Sequence, residues 1–266
     1  MIYQFVYMDF GATNFLNLMK YSALNMRAAI QKDQTNDQIW LHYIRSIGRN
    51  PAYDLAALRN EEIFDKLEIV CFGNKLEDVT IYPGWYHKRH APYLQIASKI
   101  DEPICHVNHN IHFHRMPVIN PDEIYFWCKD NIWYNVSWGF LDKDEATQFV
   151  EYCQSSGLLN GNVDDILNKP LRNADFLYIP KQHVEEVQPR YLLMLQWILD
   201  FYGDHFANLY CACSIAGQLC LSLIIQDMFP DKEPLYLKSE EGFPKCSRFS
   251  TEAEEDISGS LRLLFE

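Results

Sequence analysis

Basic residues are scarce in this sequence. Its 266 residues include 23 Lys and Arg against 36 Asp and Glu, which gives a formal net charge of −13. Proteins that bind nucleic acid need Lys and Arg to neutralise phosphates, so this balance argues against a nucleic-acid partner. An acidic surface instead favours solubility and can attract a protein partner with a basic surface.

The sequence also lacks the short motifs that identify many enzymes. It contains no G-x-x-x-x-G-K-[ST], no G-x-G-x-x-G, no G-x-S-x-G, no H-E-x-x-H and no C-x-x-C. Catalytic groups that meet only in space leave no such trace, so these absences lower the case for an enzyme without excluding one.

No basic segment precedes the first apolar run, so we expect no signal peptide. The eight cysteines lie mostly inside apolar runs, which predicts buried thiols in the cytosol and no disulfide framework. The apolar stretch 209–225 is at the short limit for a membrane span, contains Gln218 and has no Lys or Arg at its ends. We interpret it as a buried core segment and expect no membrane contact.

The first third of the chain predicts one strand and then three helices. Hydrophobic residues make up 48% of the chain, as in a packed globule. Residues 2–8 form a β-rich run, and apolar residues at helical spacing follow from about Asn14. The apolar residues between Ile39 and Ile47 repeat the helical spacing, and Asn50-Pro51 is typical of a helix start. Residues 1–67 could form a separate helical lobe.

The middle of the chain, from Glu68 to Phe140, has a different character. Turns separate β-branched and aromatic runs at residues 69–72, 79–82, 104–114, 124–128 and 132–138. Lys129-Asp130-Asn131 between the last two runs suits a three-residue hairpin loop. This region therefore predicts an antiparallel sheet.

The last part predicts helices with short strands between them. A capping-box pattern at Asp142 and Glu145 begins a helix that should end near residue 156. A helix from about Arg190 to Phe201 is apolar nearly all round and should be buried. Periodicity leaves residues 207–229 open between helix and strand. Short strands are expected near residues 176–179, 233–238 and 261–265.

The predicted fold class is therefore α+β, with an antiparallel sheet flanked by an N-terminal helical group and a buried C-terminal helix. The length suits a single domain, residues 1–266. A polar, Gly- and Asn-rich loop at 157–165 is the candidate boundary if the chain divides into parts 1–156 and 166–266.

A histidine cluster is the strongest candidate for a metal site. Six of the nine histidines lie between positions 87 and 114. If residues 105–114 form one strand, His106, His112 and His114 share a face and could bind zinc or iron, with Glu123 or His90 nearby. Two readings without a metal stay open: ordinary histidines on a solvated sheet face, or a role in ligand binding or proton transfer.

Two short segments resemble known motifs. His112-Phe113-His114 resembles the H-x-H of cupin barrels, which implies a metal-binding histidine pair, although the nearest acids that follow are Asp122 and Glu123. Residues 9–14, Asp-Phe-Gly-Ala-Thr-Asn, resemble the D-x-G-x-T-N phosphate loop of actin-like sugar kinases. In that family a β-hairpin follows the loop, whereas here the pattern predicts a helix.

Aromatic residues lie next to acidic residues in the region around residues 122–133. If the rings are exposed, they would form a surface for a basic protein partner, and if both sheet faces are covered they are core residues. The residues proposed for such a partner surface are Asp122, Glu123, Tyr125, Trp127, Asp130 and Trp133.

Two functions follow as hypotheses. The first is a non-catalytic cytosolic protein that occludes a partner, as an immunity protein or inhibitor does, with no cofactor. It rests on the acidic charge, the aromatic content and the missing motifs. The alternative is a metal-dependent hydrolase or oxygenase that uses the histidine cluster to activate water or oxygen.

Overall fold

The computed structural model describes residues 1–8, 13–45, 62–71, 90–109, 111–113, 115–129, 143–202, 210–237 and 246–248. In this part of the chain the elements are β1 (Ile2–Met8), α1 (Thr13–Asp33), β2 (Gln38–Arg45), β3 (Lys66–Cys71), α2 (His90–Ala97), β4 (Ile104–Val107), β5 (Ile111–Phe113), β6 (Tyr125–Lys129), α3 (Lys143–Ser155), α4 (Val163–Leu167), β7 (Arg172–Tyr178), α5 (Lys181–Tyr202), α6 (Tyr210–Met228), β8 (Leu235–Tyr236) and β9 (Cys246–Arg248).

Seven strands form one mixed sheet in the order β3-β2-β1-β4-β7-β6-β8. All pairings among β3, β2, β1 and β4 are parallel, and so is the pairing of β6 with β8. β7 runs antiparallel to both of its neighbours, β4 and β6. The fold is therefore a Rossmann-like α/β sheet, and the predicted antiparallel α+β class is wrong.

Helices cover both faces of this sheet. On the face that we call the α1 face, Tyr3 and Phe5 of β1 pack with α1 and with β5, which pairs antiparallel with β9. On the opposite face, the α5 face, Ile2 packs in a cluster that includes residues of α2, α3, α4, α5 and α6. A strand covered on both faces needs apolar residues at nearly every position, as the sequence of β1 shows.

The same physics explains the main error in the secondary-structure prediction. Residues 38–45, expected to be helical, form β2, which pairs in parallel with both β1 and β3. Ile39, Leu41 and Tyr43 are buried, and Trp40 packs against the cluster on the other face. An apolar run on both faces satisfies helical and strand periodicity alike, so spacing alone did not separate them.

Other predictions are confirmed or refined. The strand at residues 2–8, the helix that follows it and the helix near residues 142–156 are present. Residues 207–229 are helical over α6, and α5 is longer than predicted and leaves Leu192 and Leu193 exposed. No helix among the described residues is long and apolar enough to cross a membrane. The third helix, the hairpin at 129–131 and the strands at 79–82, 132–138 and 261–265 lie outside the described residues.

The polar stretch 157–165 is held between helices. Asp227, near the end of α6, accepts the backbone N–H groups of Asn160 and Gly161, both at 2.7 Å. Asn162 caps α4 by accepting N–H groups of Asp164 and Asp165. The cluster on the α5 face draws residues from both sides of this stretch, from Ile2 to Tyr236.

Candidate functional site

The strand order reverses at β1. From β1 the chain passes through α1 to β2 and on to β3, whereas β4 pairs with the other side of β1. The helix after β1 packs on the α1 face, and α2, which precedes β4, packs on the α5 face. In open α/β sheets such a switch point opens a crevice outside the carboxyl ends of the two strands, and ligands bind there. Here those ends are Met8 of β1 and Val107 of β4.

A polar turn follows β4 at its carboxyl end, where this rule places a crevice. Asn108 is buried, with 4% of its surface exposed, and His109 after it is half-buried. The Asn108 side-chain oxygen accepts the backbone N–H of His109 at 2.9 Å, which closes the turn on itself. The Asn108 side chain therefore fixes the position of the His109 backbone, directly after the end of β4.

Asp175 of β7 holds Asn108 twice. The backbone N–H of Asn108 donates to the Asp175 carbonyl at 2.7 Å, and its Nδ2 donates to Oδ1 of the Asp175 carboxylate at 2.7 Å. The amide nitrogen of Asn108 therefore faces the Asp175 side chain. Asp175 is fully buried, and its own N–H donates to the Asn173 side chain at 2.8 Å.

A β-bulge lies beside this carboxylate. Between the pairs Phe126–Leu177 and Cys128–Asn173, two residue steps on β6 face four steps on β7. Asp175 is the central residue of the extra length. Bulges redirect side chains and are frequent next to active sites, so the irregularity is consistent with a functional role for Asp175.

A buried polar layer lies beneath the crevice on the α5 face. His106, two residues before Asn108, pairs in register with Gln4 of β1, and its ring lies 4.8 Å, centroid to centroid, from that of His90 on α2. All three side chains are at most 1% exposed. His90 Nε2 lies 3.1 Å from the Ala174 carbonyl oxygen, so this nitrogen carries the proton. Polar groups are costly in a core, and they commonly mark functional sites.

The structure does not bring the predicted metal ligands together. His106 contacts His90 and Tyr93 on the α5 face, whereas His112 lies on β5 with its Nε2 2.6 Å from Nδ2 of Asn25 on α1. His114 lies outside the described residues. No group of three His, Cys, Asp or Glu side chains able to hold a metal is found in the described ranges. A shared ligand set of His106, His112 and His114 is therefore not confirmed and stays a prediction.

The predicted partner-binding residues lie near the amino end of β6, at the opposite ends of the strands from Asn108. Asp122 is exposed beside a cleft of about 200 Å³, and Glu123 forms an ion pair with Lys232 at 2.7 Å. Tyr125 is buried, and Trp127 is partly buried against the α1-face cluster, so these rings form no exposed aromatic surface. Asp130 and Trp133 lie outside the described residues. A basic protein partner stays a prediction.

Sequence reasoning missed Asp175 and gave Asn108 no role of its own. Residues 104–114 were expected to be one strand, but β4 ends at Val107 and β5 begins at Ile111. The polar run Asn-His-Asn after a short apolar run was the available signal for a strand end at the crevice. Nothing in the sequence predicted that Asp175 would reach this turn.

Comparisons with known proteins give structural matches only. No protein-family model matches the sequence, and no curated protein matches it. The fold aligns with the galactosyltransferase LgtC in complex with donor and acceptor sugar analogs, at 13% identity and a TM-score of 0.42, over 82% of this chain and 70% of that one. It also aligns with mouse xyloside xylosyltransferase 1 in its apo form, at 9% identity and a TM-score of 0.43, over 86% of this chain and 83% of that one.

The sequence identities and TM-scores are low, so the fold assignment rests on the strand order and pairings of this chain alone. Both matched structures are glycosyltransferases. This finding contradicts the predicted non-catalytic inhibitor or immunity protein. Its alternative, a metal-dependent hydrolase or oxygenase, is corrected on the same ground.

Proposed function

We propose that this chain is a glycosyltransferase that binds a nucleotide-linked sugar in the crevice between the carboxyl ends of β1 and β4. The observation that carries the proposal is the reversal of strand order at β1, because doubly wound α/β sheets bind nucleotides at this point. Glycosyl transfer is the activity named for both matched structures, and it is the reaction that we assign to the crevice within this proposal.

The start of α1 supports a phosphate-bearing ligand. β1 ends at Met8 and α1 begins at Thr13, so the first turn of a 21-residue helix follows the carboxyl end of β1. The N-terminus of a helix carries unpaired N–H groups and a partial positive charge, which favour phosphate. A diphosphate placed there would be oriented without a large basic patch, in keeping with the acidic composition of the chain.

The turn at Asn108 and His109 supports recognition of a sugar or ribose. The half-buried His109 imidazole can donate and accept hydrogen bonds, as hydroxyl groups require, and the buried Asn108 amide sets the turn that carries it. The transfer breaks the bond between the anomeric carbon and a phosphate oxygen and forms one to an acceptor hydroxyl, whose proton is released. A rigid turn on the β4 side and a helix start on the β1 side would hold the two halves of such a donor.

Calorimetric titration with a panel of uridine-, guanosine- and cytidine-linked sugars tests the proposal. We expect at least one donor to bind and Asn108→Ala to weaken that binding at least tenfold. Asn120→Ala is the matched control, because the Asn120 side chain also accepts a nearby backbone N–H, that of Asp122, but at the opposite ends of the strands.

A donor that binds should also give up its sugar to water or to an acceptor in an overnight reaction, as measured by release of the nucleoside diphosphate. If no member of the panel binds at millimolar concentration, the proposed function is wrong. If Asn108→Ala and Asn120→Ala bind equally well, the ligand site lies elsewhere.

A further inference from the structure

We infer that Asp175 is a positioning residue that sets the turn at the crevice through Asn108. The identity of the ligand rests on the proposed function, whereas the positioning of Asn108 by Asp175 rests on the contacts of the described residues. Asp175 is fully buried within β7, so in this conformation it acts through Asn108 and does not contact a ligand itself.

Four polar groups form one directed chain. The Asp175 N–H donates to the Asn173 side chain at 2.8 Å, and the Asp175 carboxylate accepts Nδ2 of Asn108 at 2.7 Å. The opposite end of the same amide, Oδ1, accepts the N–H of His109 at 2.9 Å. The carboxylate thus determines which way the Asn108 amide points, and the amide determines where the His109 backbone lies.

The link between Asp175 and Asn108 runs through an oxygen that accepts and a nitrogen that donates. Asp175 Oδ1 accepts Nδ2 of Asn108, and this contact selects one orientation of the Asn108 amide because only its nitrogen can donate. Rotation of that amide by half a turn would place oxygen against oxygen and would leave the His109 N–H facing an NH₂ group. The turn is therefore fixed before a ligand arrives, which lowers the entropic cost of binding.

Asp175 reaches Asn108 as its cross-strand neighbour. The antiparallel register of β4 with β7 pairs His106 with Leu177 and Val107 with Phe176, and the next step along both strands brings Asn108 to Asp175. On the other side of β7, the bulge passes the pairing with β6 directly from Leu177 to Asn173. Asp175 belongs to the binding site although it lies on no loop.

The test compares Asp175→Ala, Asp175→Asn and the wild type in two measurements. The first is the backbone amide signal of His109 in a ¹H–¹⁵N spectrum without ligand. We expect Asp175→Ala to move or broaden this signal and Asp175→Asn to restore most of it, because an asparagine can still offer an oxygen to Asn108. The second is affinity for the donor sugar found in the panel, which we expect to fall at least tenfold in Asp175→Ala and by less in Asp175→Asn.

Asp227→Asn is the matched control. Asp227 is also a buried carboxylate that accepts backbone N–H groups, but it lies on α6 and binds the stretch before α4. This variant should lose thermal stability without moving the His109 signal. Any loss of stability in Asp175→Ala can then be separated from the local effect.

The outcomes separate the two proposals. If the wild type binds a donor and Asp175→Ala binds it equally well with an unchanged His109 signal, Asp175 has no positioning role and the proposed function survives. If no donor binds the wild type, the proposed function fails and the His109 signal alone decides the role of Asp175. Equal signal changes in Asp175→Ala and Asp227→Asn would reduce Asp175 to a structural residue and overturn the inference.

Discussion

Arg190 on α5 and Asp227 on α6 form an ion pair that also fixes the chain segment before α4. The same Arg190 guanidinium donates to the Leu158 carbonyl at 2.7 Å, and the other oxygen of Asp227 accepts the N–H groups of Asn160 and Gly161. We expect Asp227→Asn to lower the free energy of unfolding by about 1–3 kcal/mol, because it breaks an ion pair of which the carboxylate is buried.

Urea denaturation followed by circular dichroism measures this loss. Asp231→Asn, an exposed carboxylate in the same region of sequence, is the control and should change the free energy by less than about 0.5 kcal/mol. The polar stretch 157–165 should also become more sensitive to proteolysis in Asp227→Asn. Equal stability of the two variants would contradict the role given to Asp227.

Arg172 is a buried cation at the start of β7. With 1% of its surface exposed, it donates to the Ser222 carbonyl at 3.3 Å and to Gln226 Oε1 at 3.1 Å, and Glu233 lies 3.6 Å away. We expect Arg172→Met to destabilise the fold by about 2–4 kcal/mol, because the carbonyl and amide oxygens lose their donor.

In Arg172, Nη1 donates to both α6 acceptors while Nη2 faces Glu233. Arg172→Lys keeps the charge but has a single nitrogen for all three partners, so its stability should lie between those of the wild type and Arg172→Met. Chemical denaturation of the three proteins at one pH gives the order. A methionine variant as stable as the wild type would show that the desolvation of Arg172 cancels its contacts.

His42 on β2 should make the fold less stable in mild acid. Burial lowers the pKa of His42 below its ordinary value of 6.5, and the attraction of Glu68, whose carboxylate lies 3.7 Å away, opposes this shift only in part. The unfolded chain then takes up a proton that the folded chain refuses, so stability is lost as the pH falls from 6.5 toward the folded pKa.

His42→Phe removes this titration. Unfolding free energies at pH 7.5 and pH 5.0 should differ less in the variant than in the wild type. The prediction fails if the two proteins lose the same amount between these values.

Tyr178 should limit stability in alkali. Burial raises the pKa of Tyr178 to about 12 from an ordinary value of 10.0, and the nearby Cys105 and Asp122 add to the shift. The unfolded tyrosine ionises first, so stability is present below pH 10 and falls as the pH rises toward 12. Melting temperatures across this range should fall less steeply in Tyr178→Phe.

Tyr178→Phe should be less stable than the wild type at neutral pH, because it loses the hydrogen bond that the Tyr178 hydroxyl donates to the Pro121 carbonyl at 2.9 Å. Its melting temperature should therefore start lower and then change less, so that the two curves converge. Parallel curves would assign the alkaline loss to other groups.

Local patterns predicted the elements whose signals are local. β1 and α1 follow from an apolar run and from helical spacing within a single segment, and both are present. β2 could not be predicted in this way, because its strand character comes from burial between β1 and β3 on the sheet and between helices on both faces. The direction of pairing, and with it the fold class, is set by crossover connections that local spacing does not record.

The candidate site depends even more on contacts between residues that are distant in the sequence. Asn108 and Asp175 are separated by 67 positions in the sequence and meet only because β7 inserts between β4 and β6. The histidine cluster, by contrast, is conspicuous in sequence, but β4 and β5 carry His106 and His112 to different faces. Clustering in sequence was therefore a poor guide to clustering in space here.

The bulge in β7 makes the two sides of one interior strand unequal. On the β4 side the register runs on without a break, so that Phe176 pairs with Val107 and Asp175 meets Asn108. On the β6 side the pairing passes directly from Leu177 to Asn173. An interior strand can therefore present a carboxylate at the end of its neighbour without any insertion in a loop.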